Sequence, residues 1–220
     1  MLSQEQFKIM YNLQQKLNDD TNGKDWVTTG ITNKGRKINW FRCIYMEATE
    51  AIDSLNWKHW KDINKDNDIE NIKIEIVDIW HFIMSEHIKI QGLSEAVQNS
   101  FDLYHLIHDE NKEIIHSMQL IECFEIIIKK SINEELPLAD FFRVVEKIED
   151  FDMIDVYKLY IGKNCLNQFR QDNGYKEGKY QKIWDGEEDN VYLQTILKEN
   201  PNISYNDLYN GLKEIYQIQP

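Results

Sequence analysis

Apolar residues recur along most of the chain at spacings of three and four, the period of a helix that turns one face to a core. The pattern predicts helices over residues 4–19, 39–60, 69–90, 94–108, 112–132, 138–147 and 152–170, with two more at 191–199 and 205–216. Two stretches lack it: residues 21–37, with Gly23, Gly30 and Gly35, and residues 173–189, with Gly174, Gly178 and Gly186. No pair of alternating strand-like runs joined by an Asn-Gly or Asp-Gly turn stands out. The expected fold class is all-α. Long loops inside a compact domain are usually functional or disordered, and the second one carries Tyr175, Tyr180 and Trp184, aromatic residues a plain linker does not require.

Two of the helical stripes carry acids at their edges. Over residues 39–57 the stripe is Trp40, Phe41, Ile44, Tyr45, Ala48, Ala51, Ile52 and Leu55, with Glu47 at its margin and Glu50 just beyond. Over residues 72–90 it is Ile72, Ile76, Ile79, Trp80, Ile83 and Ile90, with Glu75 at the margin followed by Asp78. Residues three apart share a helix side one turn displaced, so E-A-T-E and E-I-V-D each offer two hard oxygen ligands on one face. Four carboxylates gathered there repel, by roughly 4 kcal/mol per close pair at an effective dielectric of about 20. A cation is the expected compensation, and Mg²⁺ suits an all-oxygen set that keeps waters and substrate phosphates in its shell. The competing reading is two solvated helix faces in a chain with 38 Asp plus Glu.

Charge elsewhere is uneven. The chain carries a net charge of −13, which argues against a nucleic-acid polymer as partner, because that affinity comes from Lys and Arg neutralising phosphates. Yet residues 158–184 hold six basic and only two acidic side chains, a local balance of +4. Lys163, Asn167 and Arg170 fall at i, i+4 and i+7 of one helix face, and Tyr175 and Lys182 follow in the glycine-bearing loop. A phosphate chain would bind there; a solvated basic face is the plain alternative. Phe82 projects between Glu75 and Asp78 around the helix and can pack on a sugar or base, His81 beside it can donate to a hydroxyl, and W-K-H-W (57–60) closes the first acidic helix. Gln14 and Asn18, one turn apart, have the paired donors and acceptors to read a pyrimidine edge, although helix solvation explains them equally well.

At 220 residues the chain suffices for one well-buried core, and one domain with an appendage is expected. Three scattered cysteines, Cys43, Cys123 and Cys165, suggest neither a disulfide framework nor a zinc site, so a reducing cytoplasm is the expected location. No apolar run approaches the ~20 residues that span a bilayer, and no membrane partner is expected. There is no G-x-x-x-x-G-K-[ST] loop and no G-x-S-x-G elbow. Metal-assisted attack of water on phosphorus is the chemistry the residues imply.

The order L-Q-Q-K-L-N (13–18), E-A-T-E, W-K-H-W-K, E-I-V-D-I-W-H-F (75–82), G-K-N-C-L-N-Q-F-R-Q-D-N-G-Y-K (162–176), K-I-W (182–184) and E-D-N (188–190) closely resembles the dimeric, all-α dUTPases of the MazG-like NTP pyrophosphatase superfamily, particularly those of Campylobacter. The resemblance covers most of the chain and is weakest over residues 91–150. It implies a single domain over 1–220: core helices within 4–90 and 152–171, middle helices within 91–150, and a phosphate-binding loop and mobile cap over 172–220. It implies a cytoplasmic homodimer that hydrolyses dUTP, and also dUDP, to dUMP. Glu47, Glu50, Glu75 and Asp78 would bind two or more Mg²⁺ ions, with Glu47 or Glu50 orienting the attacking water. Gln14, Asn18 and Trp60, with Gln15, would surround uracil; His81 and Phe82 would contact the deoxyribose. Lys163, Asn167, Arg170, Tyr175 and Lys182 would hold the phosphates.

Three alternatives remain. A related hydrolase of another nucleotide, such as dCTP, would keep the acids and change the base pocket. A ferritin-like di-iron protein would use acid-x-x-His pairs, for which Asp78/His81 and Glu113/His116 have the spacing. A non-enzymatic helical scaffold would use none of these charges.

Overall fold

In the computed structural model, which describes residues 1–62, 64–109, 118–201 and 203–217 (Asp109 for its backbone alone), α1 (Gln4–Asn22) begins at a reciprocal cap. Ser3 accepts from the Gln6 backbone N–H, and the Gln6 side chain accepts from the Ser3 N–H, so two orphan donors are satisfied at once. A single turn, α2 (Trp26–Thr29), follows in the stretch expected to be irregular. Asn39 caps α3 (Trp40–Asp53) by accepting from Arg42 N–H, and Asp68 caps α4 (Ile69–Gln91) through Asn71 N–H. Then come α5 (Leu93–Asp109), α6 (Leu120–Ile132), α7 (Leu138–Lys147) and α8 (Met153–Asp172). The expected start of the helix over 112–132 lies partly outside the described residues.

Helix α3 stops seven residues before the expected end at 60. Ser54, Leu55 and Asn56 leave the helix because Asn56 finds better partners: its backbone N–H donates to Asn67 Oδ1 at 2.7 Å and its amide to the Lys65 carbonyl at 2.7 Å. Asparagine competes with the helix ladder in this way. Ile90 is a second correction, since it is 55 % exposed rather than part of the stripe; it lies in the last turn of α4, just before Gly92 ends the helix.

Two compact units divide the chain, Met1–Tyr157 and Lys158–Pro220, with the division inside α8. In the first, α3 packs against both α4 and α6, α1 against α4 and α5, and α7 against α5 and α6. Helix α4 is the central element: besides Ile72, Ile76, Ile79, Trp80 and Ile83 it buries Glu75, His81, Ser85, Glu86 and His87. An aromatic core holds these helices, with Trp80 stacked on Phe141 at 4.9 Å and Phe7 meeting Trp80 and Phe142 edge-on.

The second unit packs the end of α8 against α9 (Asp189–Glu199) and α10 (Tyr205–Gln217) around Leu166, Phe169, Trp184, Leu193, Leu208 and Leu212. A Cβ on Gly162 would meet Leu197 Cδ1 at 2.7 Å, so glycine permits this approach of α8 and α9. Between α8 and α9, Ile183–Trp184 (β1) pairs antiparallel with Glu187–Glu188 (β2). Asp185 and Gly186 form its turn, with φ of +45° and +90°. An Asp-Gly hairpin was not expected; strands of two residues are too short to show alternation, and the dipeptide was the sole signal. Among the described residues there are ten α-helices and this one ribbon, so the chain is all-α. None of these helices is long and apolar enough to cross a membrane.

Candidate active site

Helices α3 and α4 bring three acids together. One carboxylate oxygen from each of Glu47, Glu75 and Asp78 lies within 4.8 Å of the others. Glu75 is buried, while Glu47 and Asp78 are half-buried. The i, i+3 spacing puts Glu75 and Asp78 on one side of α4, and the packing of α3 against α4 supplies Glu47. Glu50 is exposed and stands outside the three-oxygen group, but its charge reaches Glu47. Burial above all, then the charges of Asp78, Glu50 and Glu75 and a hydrogen bond with Glu75, push the Glu47 carboxyl up from 4.5 to about 8. Like charges in partial burial cannot all ionise without a counter-charge. Cys43, one turn before Glu47, stands outside the three-oxygen group, and burial, then the Glu47 charge, push its thiol up to about 11.

Sequence reasoning missed the residue that holds Glu75. Asn71, one turn earlier on α4, donates its amide to Glu75 Oε1 at 3.0 Å and to Ser54 Oγ at 2.8 Å, tying the acid to the end of α3. Its signal was only an amide four residues before a candidate ligand.

Further along α4 the polar residues continue inward. Gln14, Asn18, His81 and Ser85 are at most 4 % exposed, which removes helix solvation as the account of Gln14 and Asn18. Gln14 Nε2 donates to Ser85 Oγ at 3.0 Å and to Asn18 Oδ1 at 3.2 Å; Asn18 Nδ2 donates to Ser85 Oγ at 2.9 Å. His81 Nδ1 lies 2.6 Å from Gln14 Oε1. The expected pyrimidine readers and His81 are thus one connected group, with Ser85, unforeseen, at its centre. Phe82 is half-buried and stacks on Trp40 at 5.9 Å and 24°. Trp60 is 62 % exposed, and its ring meets Trp57 and His59. Gln15 donates to Asp19.

The expected phosphate set belongs to the second unit, where two further residues organise it. Arg170 donates from Nε and Nη2 to the two oxygens of Asp189, at 2.8 and 2.7 Å, and from Nη1 to Asn167 Oδ1 at 3.0 Å. Tyr180 donates to the same Asp189 carboxylate at 2.8 Å. Lys163 Nζ donates to Asn190 Oδ1 at 3.2 Å, and Lys182 Nζ lies 5.8 Å from the centroid of the Tyr175 ring. Asp189, in the first turn of α9 and wholly buried, lies within the E-D-N motif but was given no site role from sequence.

No histidine joins the acid cluster among the described residues. Asp78/His81 therefore does not form an acid-histidine ligand pair here, and Glu113 and His116 lie outside the described residues. Compared with known proteins, residues 6–175 match the family described as dUTPase. A comparison with curated proteins finds no match.

Proposed function

The chain belongs to the dUTPase family and hydrolyses dUTP to dUMP, and from that premise we propose that the acids on α3 and α4 are its Mg²⁺ site. The convergence of Glu47, Glu75 and Asp78 within 4.8 Å carries the proposal. The donors fit: all are hard oxygens, and burial, then the charges of Asp78, Glu50 and Glu75, hold the proton on Glu47 to about 8. Glu47, Glu50, Glu75 and Asp78 would hold two or more Mg²⁺ ions, which would supply charge to neutralise phosphate oxygens and acidify a water. Glu47 or Glu50 would orient the attacking water and accept its proton. Asn71 fixes the orientation of the Glu75 carboxylate by donating its amide to Oε1.

Gln14 and Asn18, with Trp60, take uracil, while His81 and Phe82 take the deoxyribose, Phe82 crowding the 2′ position. Lys163, Asn167, Arg170, Tyr175 and Lys182 hold the phosphates; Asp189 orients the Arg170 guanidinium from behind. We assign dUDP as a second substrate, a homodimer as the working form and the cytoplasm as its location, on the resemblance in sequence.

Incubation with dUTP, dUDP, dCTP and UTP, with and without Mg²⁺, tests this reading. Mg²⁺-dependent release of dUMP from both uracil deoxynucleotides is expected. Preference for dCTP would keep the metal site and discard the base pocket, and activity undiminished by chelation would discard the metal site. Asn71→Ala should raise the Mg²⁺ concentration for half-maximal rate about tenfold, the usual scale for losing a group that orients a ligand. An unchanged Mg²⁺ titration would remove Asn71 from the site.

A further inference from the structure

Ser85 is wholly buried, and its hydroxyl lies 2.7 Å from the His81 carbonyl. A carbonyl only accepts, so the hydroxyl hydrogen is spent there and the Ser85 oxygen faces the two side-chain amides as an acceptor. The atoms of Gln14 and Asn18 at 3.0 and 2.9 Å from it must therefore be their NH₂ groups. Turning either amide by 180° would set oxygen against oxygen with no hydrogen between them. The polarity then propagates. The second hydrogen of Gln14 Nε2 goes to Asn18 Oδ1, and Gln14 Oε1 takes the hydrogen on His81 Nδ1. Beyond these bonds Asn18 retains one N–H and one carbonyl lone pair, in fixed positions.

We propose that Ser85 sets the base specificity of this enzyme by locking the Asn18 amide in one polarity, the one that suits uracil. The proposal rests on the dUTP-hydrolysing reading above and on the assignment of Asn18 to the base. Uracil offers an N–H at position 3 beside a carbonyl at position 4; cytosine offers the reverse, a bare nitrogen beside an amino group. An amide with one donor and one acceptor pairs with either base, but only if it can turn over to suit. Held by Ser85, it meets cytosine with donor facing donor and acceptor facing acceptor. A site built for polar groups rejects such a mismatch strongly, because its buried groups are left unpaired. Ser85 acts through Asn18 and is a positioning residue.

The test compares kcat/KM for dUTP and dCTP in the wild type, Ser85→Ala and Ser85→Thr. Ser85→Ala should lower the dUTP-to-dCTP ratio at least tenfold without changing the Mg²⁺ requirement, and Ser85→Thr, which keeps the oxygen, should retain the ratio. Equal slowing of both substrates in Ser85→Ala, with the ratio intact, would overturn the lock and leave Ser85 a packing residue. Failure of the wild type to hydrolyse dUTP would instead defeat the functional reading. The lock has a readout of its own in the wild-type protein by NMR: the Asn18 side-chain N–H held by Ser85 should exchange with solvent much more slowly than its second N–H. Equal, fast exchange of both hydrogens would overturn the lock whether or not either variant folds.

Discussion

In Glu47→Gln, hydrolysis of dUTP is expected to fall on the order of 10³-fold, while the metal-free protein melts no lower than the wild type. The two effects share a cause. Three carboxylate oxygens within 4.8 Å suit a divalent cation and, without one, repel one another by roughly 3 kcal/mol per ionised pair at an effective dielectric of about 20. Glutamine keeps the shape and removes one of the charges. Losing a metal-bound charge costs several kcal/mol of transition-state stabilisation, hence the scale of the rate effect.

A pH series separates this cause from a general change in packing. The Glu47 carboxyl titrates at about 8 in the fold, against an ordinary 4.5, so between those values the folded chain binds more protons than the unfolded one. Stability from this group is complete below about 4.5 and is lost as pH rises toward about 8. The difference in melting temperature between wild type and Glu47→Gln, measured in chelator, should therefore move in the variant's favour across that window. Mg²⁺ should raise the wild-type melting temperature and shift the variant far less. A variant that melts well below the wild type at every pH, with its helical circular dichroism reduced, would show a folding defect and count against the assigned role.

Arg170→Ala is expected to destabilise the second unit by about 3–5 kcal/mol, the usual cost of leaving one member of a buried ion pair without the other. Asp189 is wholly buried and Arg170 is 8 % exposed. The guanidinium meets both carboxylate oxygens, a paired geometry stronger than a single contact. Burial, followed by the Asp189 charge, pushes the Tyr180 hydroxyl far up, so it remains a donor to that carboxylate. Asp189→Asn should cost less, since it removes the buried charge and keeps the shape. Arg170→Met combined with Asp189→Asn should be more stable than the sum of the single losses predicts. Hydrogen exchange along α9 and the end of α8 reports this directly. Unaltered protection in Arg170→Ala, accompanied by weaker dUTP binding, would make Arg170 a phosphate ligand without a structural role.

The helices themselves were legible because their signal is local. Apolar residues three and four apart share a face in any helix, so seven of the expected segments begin within one residue of their observed starts. The exceptions are the segment expected from 112, whose first residues lie outside those described, and the segment expected from 191, which begins two residues early, at Asp189. Caps such as Ser3 and Asp68 mark ends by bonds that span three residues. The spacing of Glu75 and Asp78 is equally local, as is that of Gln14 and Asn18. What local spacing cannot carry is the register of one helix against another. Glu47 joins Glu75 and Asp78, and Glu50 remains at the exposed edge, because of how α3 lies on α4. Ser85 reads in sequence as an ordinary helical serine, and Asp189, although within the E-D-N motif, as an acid with no partner assigned. Burial gives them their weight: a polar atom removed from water must satisfy its bonds inside the protein, and the partners available to it, Gln14 and Asn18 for one and Arg170 and Tyr180 for the other, are chosen by tertiary packing alone.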